Sequence, residues 1–533
     1  MHYDLAALAR DAAARWTDAP ALLFDATGEE LSFSEFDRRS DAIASALCAS
    51  GIKPGDRVVV CSANIALFPL AWFGIVKAGA IMVPLNTGYR FDDARHLLAL
   101  AEPRAAFCDG ERAALLAALQ NVTPSLSLIV CSDTDVRPGW QHLPAFEKSA
   151  PSRAPSRQPI ARPRQAITNI QFTSGTSGLP KGCMLTHRYW FELTAAVNRA
   201  VVALSPDDAM LTAQAFSYLD PQWAFVLTLR TGARLIVLER FRPSLLWDKI
   251  NQYDVSFFYC LAAMPLMLLS RPPGPAERTH RLRAIMCSAI PADRHQELEE
   301  RFGTPWLEAY GTTETGADIA VSWEDHDRLV GVPTLGKPMA HREVRIVDDR
   351  GESVEPGAMG ELLLRGPGIM WGYWRNAEAT AAAFLDGWYR TGDLVRQDDA
   401  GCLYIVGRRK DMIRRAGENI AAAEVEATLQ QHPDVLLAAC VAVADEIRGE
   451  EIKVFVVRSK PVEAKELADF LESRVAKFKI PRYWEFPDAL PMTPSERVAK
   501  PLLSREIGAG VWDRAADSGN VRATGSIEVK ARD

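Results

Sequence analysis

The sequence predicts an α/β protein in two parts: a large N-terminal domain with parallel α/β sheets plus a β subdomain, and a small α+β C-terminal domain. Three observations carry this. Strand, helix and strand succeed one another at βαβ spacing over residues 57–85, a connection that demands a parallel sheet. Near Gly331 the texture changes to short strands and turns. At 407–411 a glycine is followed by Arg408, Arg409, Lys410 and Asp411, and a compact α+β stretch then runs to about residue 504. A chain of 533 residues is also too long for one core.

In chain order, residues 5–16 read as an amphipathic helix. Residues 31–36 open another, with Ser34 as its cap and an end near Ser50. Residues 57–61 form a buried strand, 63–78 a helix, 81–85 a strand, 93–101 a helix and 105–108 a short strand. The Pro-, Arg- and Ser-rich stretch 149–165 lacks periodicity and reads as an exposed connector. Alternation resumes at 167–172. Further strands are predicted near 209–213, 234–238, 255–259 and 284–287, with helices between them. Residues 343–347 and 360–366 suggest an antiparallel β subdomain. Past 411, helices are expected at 422–431 and 464–475, with strands at 436–443 and 451–457. The division is 1–409, 410–507, and a polar tail, 508–533, expected to be mobile.

Composition narrows the function. Apolar residues at 48% and charged residues at 24% are ordinary for a soluble globular protein. A net charge of −7 argues against a general nucleic-acid binder. The nine cysteines show no CxxC pair or metal-ligand spacing, so they read as buried small hydrophobes in a reducing compartment. The N-terminus lacks a basic region followed by an apolar run, and the longest apolar run, 65–76, is too short to span a bilayer. A cytoplasmic location is expected.

The richest stretch is Thr173, Ser174, Gly175, Thr176, Ser177, Gly178, Leu179, Pro180, Lys181, Gly182. Glycines let backbone N–H groups approach a phosphate, hydroxyls add donors, and a lysine adds charge. The common phosphate loop runs Gly-Lys-Ser/Thr straight into a helix. Here Pro180 disfavours helix at Leu179, so this is either a different phosphate loop or a Ser/Thr/Gly surface turn.

Four more segments admit two readings each. Around Tyr310, Gly311, Thr312, Thr313 and Glu314, hydroxyls and a carboxylate could meet phosphate and Mg²⁺, or form a loop with a helix cap. Asp393, after Thr391 and Gly392, could accept ribose hydroxyls or make an Asp turn. The charged run 408–411, with Gly417 close behind, is a solvated surface or a hinge. Residues 491–500 form a turn carrying Arg497 and Lys500, three apart and able to face one way if helical.

Taken together and in this order, these segments resemble the adenylate-forming superfamily of acyl-CoA synthetases, peptide-synthetase adenylation domains and luciferases. Matching stretches also include 31–33, 77–80, 83–86 and 360–362, and the resemblance covers roughly residues 20–505. Within the superfamily, residues 216–222, 415–420 and 476–481 look most like the crotonobetaine/carnitine–CoA ligase branch.

The resemblance implies that a carboxylate attacks the α-phosphate of ATP to give acyl-AMP and pyrophosphate, and that the CoA thiol then displaces AMP. It implies ATP, Mg²⁺ and coenzyme A as cofactors and a small-molecule carboxylic acid as substrate. The C-terminal domain would be mobile about a hinge at Lys410. The loop from Thr173 to Lys181, Thr176 included, would hold the β- and γ-phosphates. Thr313 would donate to the α-phosphate and Glu314 would hold Mg²⁺. Ser288, Ala289, Ile290 and Tyr310 would border adenine, Asp393 with Arg408 would take the ribose, and Gly417 would lie on the pantetheine path. A homodimer is compatible with the resemblance, and no nucleic acid or membrane span is expected.

This chain departs from the pattern twice. The family's catalytic lysine follows a glycine; aligned on Pro491, Glu496 stands at the glycine and Arg497 at the lysine, with Lys500 one helical turn later. Either Arg497 substitutes, Lys500 swings in, or adenylation is weakened. In the acyl-pocket segment, Ser217 follows Phe216 where many relatives carry histidine. With Tyr218, Asp220 and Trp223 it would cradle a small polar or cationic acid, or these residues pack against the β subdomain. Asp318 is either a further acidic pocket residue or a helix residue. Besides an acid–CoA ligase, transfer to a non-CoA acceptor and a non-enzymatic nucleotide binder remain open.

Overall fold

A computed structural model describes residues 3–150, 166–173, 180–261, 264–416, 418–493, 498–508 and 510–517. The chain forms two compact units. One comprises Met1–Arg345, Leu363–Thr391 and Gln397–Tyr404; the other comprises Ile346–Leu362, Gly392–Arg396 and Ile405–Asp533. The architecture is mixed α/β, with a large N-terminal and a smaller C-terminal domain.

The larger unit is built on two sheets. The seven-stranded sheet has the order Gln141–His142, Leu128–Cys131, Ala105–Cys108, Arg57–Cys61, Ile81–Pro84, Ile167–Thr173, Lys181–Thr186. All neighbours are parallel except the last pair, which is antiparallel with Thr173 opposite Lys181. In the nine-stranded sheet, the neighbours running Trp306–Thr312, Ala284–Ser288, Phe257–Leu261, Ala209–Thr212, Arg234–Val237, Pro20–Phe24 are all parallel. Parallel strands buried on both faces read as near-continuous apolar runs, as Val58, Val59, Val60 and Cys61 do.

Helix Leu67–Lys77 is buried at every position, as its unbroken apolar run predicts. It crosses helix Phe33–Ala49 closely. A Cβ on Gly74 would lie 2.4 Å from Ile43 Cγ2, so only glycine lets the two backbones approach this far. Lys77 ends the run with a fully buried ammonium, which hydrogen-bonds Asp37 and lies 2.9 Å from Asp41. Those two carboxylates offset its desolvation. Phe36 packs edge-on to Phe73 and Phe225 at 5.1 and 4.8 Å.

The C-terminal sheet has the order Glu418–Ala421, Met412–Arg415, Gly449–Arg458, Tyr483–Glu485, Trp512–Asp513, and Val435–Asp445 pairs with Gly449–Arg458. Helices Ala422–Leu429 and Ala464–Glu472 contribute Val425, Leu429, Leu467 and Leu471 to a core with Ile413, Val454 and Trp484.

Three expectations are corrected. Ser32, not Ser34, caps the second helix, its Oγ accepting the Glu35 N–H at 3.2 Å, because the helix starts at Phe33. The helix expected from 63 begins at Leu67. The stretch after 508 is not wholly outside the fold: Trp512–Asp513 pairs with Tyr483–Glu485, and Arg482 holds Asp513 at 3.1 Å. Residues 518–533 and the connector 151–165 lie outside the described residues. All nine cysteines are free, and eight are buried. No helix among the described residues is long and apolar enough to cross a membrane.

The Gly74 crossing gives a stability test. Gly74→Ala should overpack it and cost about 1–3 kcal/mol in urea unfolding. Adding Ile43→Ala should then cost less than it does alone, and strictly additive effects would contradict the close approach.

Candidate active site

The glycine- and hydroxyl-rich decapeptide connects the last two strands of the seven-stranded sheet. Its flanks, Thr173 and Lys181, face each other across the last strand pair of the seven-stranded sheet. A strand follows Pro180 instead of a helix, as the proline requires. Ser174, Gly175, Thr176, Ser177 and Gly178 lie outside the described residues. At the hairpin base, a Cβ on Gly182 would come within 2.6 Å of Ile170 Cγ2.

Lys181 and Glu314, far apart in sequence, are joined by a residue that sequence reasoning missed. The Lys181 ammonium stands 5.1 Å from the centre of the Tyr373 ring, a cation–π contact. The Tyr373 hydroxyl donates to Glu314 Oε1 at 3.0 Å. Burial, then the neighbouring Glu314 charge, pushes the phenols of Tyr373 and Tyr389 up, so both stay neutral donors. Glu314 itself is half-buried, and its backbone carbonyl accepts the Met370 N–H at 2.7 Å.

Glu314 sits in a tight turn between antiparallel strands Trp306–Thr312 and Gly316–Ala320, which corrects the helix-cap reading. The pairing shifts register between Tyr310 and Gly311. A Cβ on Gly311 would sit 1.8 Å from the Gly316 carbonyl oxygen, so no side chain fits there. Thr312 and Thr315 join hydroxyls at 2.9 Å, and Thr313 is half-buried at the turn.

At the end of strand Ala284–Ser288, the residues Ser288, Ala289 and Ile290 turn sharply. Ala289 holds φ +68°, a left-handed conformation unusual for a side-chain-bearing residue. Glu308 grips this turn: its two carboxylate oxygens accept the N–H groups of Ala289 and Ile290, each at 2.7 Å. Burial raises the Glu308 carboxyl to about 8 against the pull of those two N–H groups. Ser288 donates to the Ala309 carbonyl at 2.8 Å and meets the Tyr259 hydroxyl at 2.8 Å.

The segment around Ser217 is held rigidly by buried amides. Asn64 accepts the Phe216 N–H at 3.0 Å and donates to the Gln214 carbonyl at 2.8 Å. Gln222 donates to the Phe216 carbonyl at 2.8 Å, and Gln171 to the Ser217 carbonyl at 2.7 Å. Phe216 stacks on Phe68 at 5.4 Å. Ser217 is buried, and its hydroxyl has no hydrogen-bond partner among the described residues. Asn86 donates to the Tyr218 hydroxyl at 2.8 Å. Asp220 accepts the Trp223 indole N–H at 3.1 Å, and the Trp223 ring packs edge-on to Tyr259 at 5.5 Å.

Asp318 is neither a pocket residue nor a helix residue. It lies on strand Gly316–Ala320, fully buried, with one oxygen taken by the Arg342 guanidinium and the other by the Thr315 hydroxyl. Arg342 also donates to the carbonyls of Thr315 and Pro367, so this pair braces the Glu314 turn from beneath. The isolated Arg342 carried no signal in the sequence.

In the smaller unit, buried Asp393 pairs with Arg408 at 2.8 Å. Lys410 lies in the 3₁₀ turn Arg409–Asp411, and burial is the main cause pulling its ammonium below its usual range. Lys500 is engaged: its ammonium lies 2.7 Å from Glu426 and 3.8 Å from Asp411. The terminal turn closes above it through the Met492–Val498 bridge and the Ala499 N–H to Pro491 carbonyl bond at 2.7 Å. Gly417 and Arg497 lie outside the described residues.

The Asp318 pair is testable. Asp318→Asn leaves the Arg342 guanidinium buried without its counter-charge and should cost about 3–5 kcal/mol in denaturant unfolding. An unchanged stability together with an altered KM for the acid would return Asp318 to the pocket.

With this geometry in hand, similarity to known proteins is informative. The family described as AMP-binding enzyme matches residues 9–374, and the AMP-binding enzyme C-terminal domain matches 424–497. The chain is 32% identical to an indoleacetate–CoA ligase of Aromatoleum aromaticum, covering 88% of this chain and 92% of that one. It is 29% identical to a crotonobetaine/carnitine–CoA ligase of Salmonella choleraesuis, covering 92% and 97%. Among solved structures, ATP-bound MatB from Rhodopseudomonas palustris superposes with a TM-score of 0.84 at 27% identity, covering 94% of this chain and 98% of that one. The o-succinylbenzoate–CoA synthetase MenE from Bacillus subtilis, bound to its acyl-adenylate, gives 0.82 at 26% identity, covering 93% and 97%. The chain therefore belongs to the AMP-binding enzyme family, the adenylate-forming superfamily, and falls near its crotonobetaine/carnitine–CoA ligase branch among AMP-forming acid–CoA ligases.

Proposed function

We propose that this enzyme joins a small or polar carboxylic acid to coenzyme A, through an acyl-adenylate formed from ATP. The observation that carries the reading is the Lys181–Tyr373–Glu314 link, which fixes a cation and a carboxylate at the base of the glycine-rich hairpin. Phosphoryl transfer asks a protein mainly for positioning and charge stabilisation, and this link supplies both. Lys181 and the hairpin residues Thr173–Gly178 take the departing pyrophosphate, and Thr313 donates to the α-phosphate. Tyr373 occupies one oxygen of half-buried Glu314, and an oxygen ligand there suits Mg²⁺, whose charge would neutralise phosphate. Ser288, Ala289, Ile290 and Tyr310 border adenine, while Asp393 with Arg408 holds the ribose. Residues 410–507 swing about Lys410 between the two steps, bringing Gly417 to the pantetheine.

Two features support the finer assignments. The buried Ser217 hydroxyl has no partner among the described residues, and leaving a buried hydroxyl unpaired costs about 1–3 kcal/mol, so an acid that hydrogen-bonds it is favoured. Lys500 is committed to Glu426 and Asp411, which favours Arg497, three residues earlier in the sequence, as the cation for adenylation.

An acid panel with and without CoA tests the reading. Acid-dependent ATP–pyrophosphate exchange, with thioester appearing on CoA addition, is expected. Exchange without thioester would point to another acyl acceptor, and no exchange with any acid would refute ligase activity. Comparable turnover of butyrate and long-chain fatty acids, with none of carnitine-like acids, would remove the polar-acid assignment. Arg497→Ala should lower pyrophosphate release more than about tenfold, and Lys500→Ala less. If neither variant loses that much, this turn does not carry the adenylation step.

A further inference from the structure

The turn at residues 288–290 is conformationally expensive. Ala289 is left-handed at φ +68° without being glycine, a position costing about 1 kcal/mol or more. The clamp that holds it is a single buried side chain, Glu308, on the neighbouring parallel strand. Two short N–H bonds from consecutive residues to the two oxygens of one carboxylate make a fork that fixes both position and orientation. When the carboxylate is ionised, such bonds are charge-assisted and stronger than neutral ones. Among the described residues these two N–H groups are the hydrogen-bond partners of the carboxylate, so the turn's shape is the clear consequence of it.

We propose that Glu308 is a positioning residue for the nucleotide: by fixing the turn at Ser288, Ala289 and Ile290 it sets how tightly adenosine and its phosphates are held. This rests on the reading that the turn borders adenine. Protonated Glu308 offers one full acceptor and one hydroxyl, which competes with an N–H; ionised Glu308 offers two acceptors. The other titratable groups facing it are the Cys287 thiol and the Tyr259 phenol, both pushed well above their usual ranges by burial and neutral throughout the working range. Asp220 faces Tyr259 from the far side.

The signs separate this role from a purely structural one. Glu308 keeps its proton in the fold up to about 8 but releases it from about 4.5 in the unfolded chain, so this group's contribution to stability falls as pH rises between those values. Nucleotide binding, in contrast, should tighten as pH rises through that upper value, because the second acceptor forms. Adenosine is the probe, since it has no group titrating in that range.

Wild-type affinity for adenosine should rise about threefold or more across the transition near pH 8. Glu308→Gln should flatten that profile, raise the KM for ATP about tenfold, and leave kcat at saturating ATP within about threefold. Glu308→Gln with an unchanged KM for ATP would overturn the proposal. If that variant fails to fold, the wild-type profile decides alone: a flat curve, or no adenosine binding, overturns it. A wild-type enzyme that binds adenosine with the expected pH profile but shows no pyrophosphate exchange would refute the ligase reading and leave this proposal standing.

Discussion

Tyr373 holds the chemistry of the larger unit together. Its ring faces the Lys181 ammonium and its hydroxyl binds the Glu314 carboxylate, so one side chain ties the hairpin of the seven-stranded sheet to the turn after Trp306–Thr312. A lysine and a carboxylate left to themselves would pair directly and be spent on each other. Interposing an aromatic ring keeps the cation weakly held and one carboxylate oxygen uncommitted by this link. The buried Arg342–Asp318 pair and the Gly311–Gly316 contact then make the turn stiff enough for Glu314 to stay in place.

The same economy recurs where an acid would lie. Trp72 donates to Asn169, Asn169 to Gln222, and Gln222 to the Phe216 carbonyl, so a chain of buried amides reaches the backbone beside Ser217. Satisfied buried networks rigidify their surroundings. Against such a background one unpaired hydroxyl stands out, and it turns a packing segment into a candidate for recognition. In the smaller unit the logic is ionic. Lys500, Glu426 and Asp411 tie the terminal turn to the 3₁₀ turn containing Lys410, so the base of the turn is anchored beside the expected hinge.

Much of this was legible in the sequence, for identifiable reasons. Parallel strands and the buried helix Leu67–Lys77 announce themselves as apolar runs, and Pro180 rules out a helix after the loop by local sterics. Motif order along the chain identified the superfamily, which the family match bears out. Errors lay where a local pattern admits two outcomes. Ser32 and Ser34 are both good caps, and the point where the chain turns helical selects between them. Asp318 looks like any carboxylate near a motif until Arg342 arrives from another strand connection.

By itself, then, the sequence determined the α/β class, the buried segments and, through a resemblance in motif order, the residues proposed for the site, because these follow from periodicity, backbone sterics and the succession of motifs. Only the tertiary structure decided which of those residues are engaged. It joined Lys181 to Glu314 through Tyr373, assigned Asp318 to Arg342 and Lys500 to Glu426, and showed Glu308 holding the turn at Ala289. The physical reason is common to all: a side chain's role depends on its partners in space, and these partners are brought together by sheet register and loop geometry, which no spacing along the chain records.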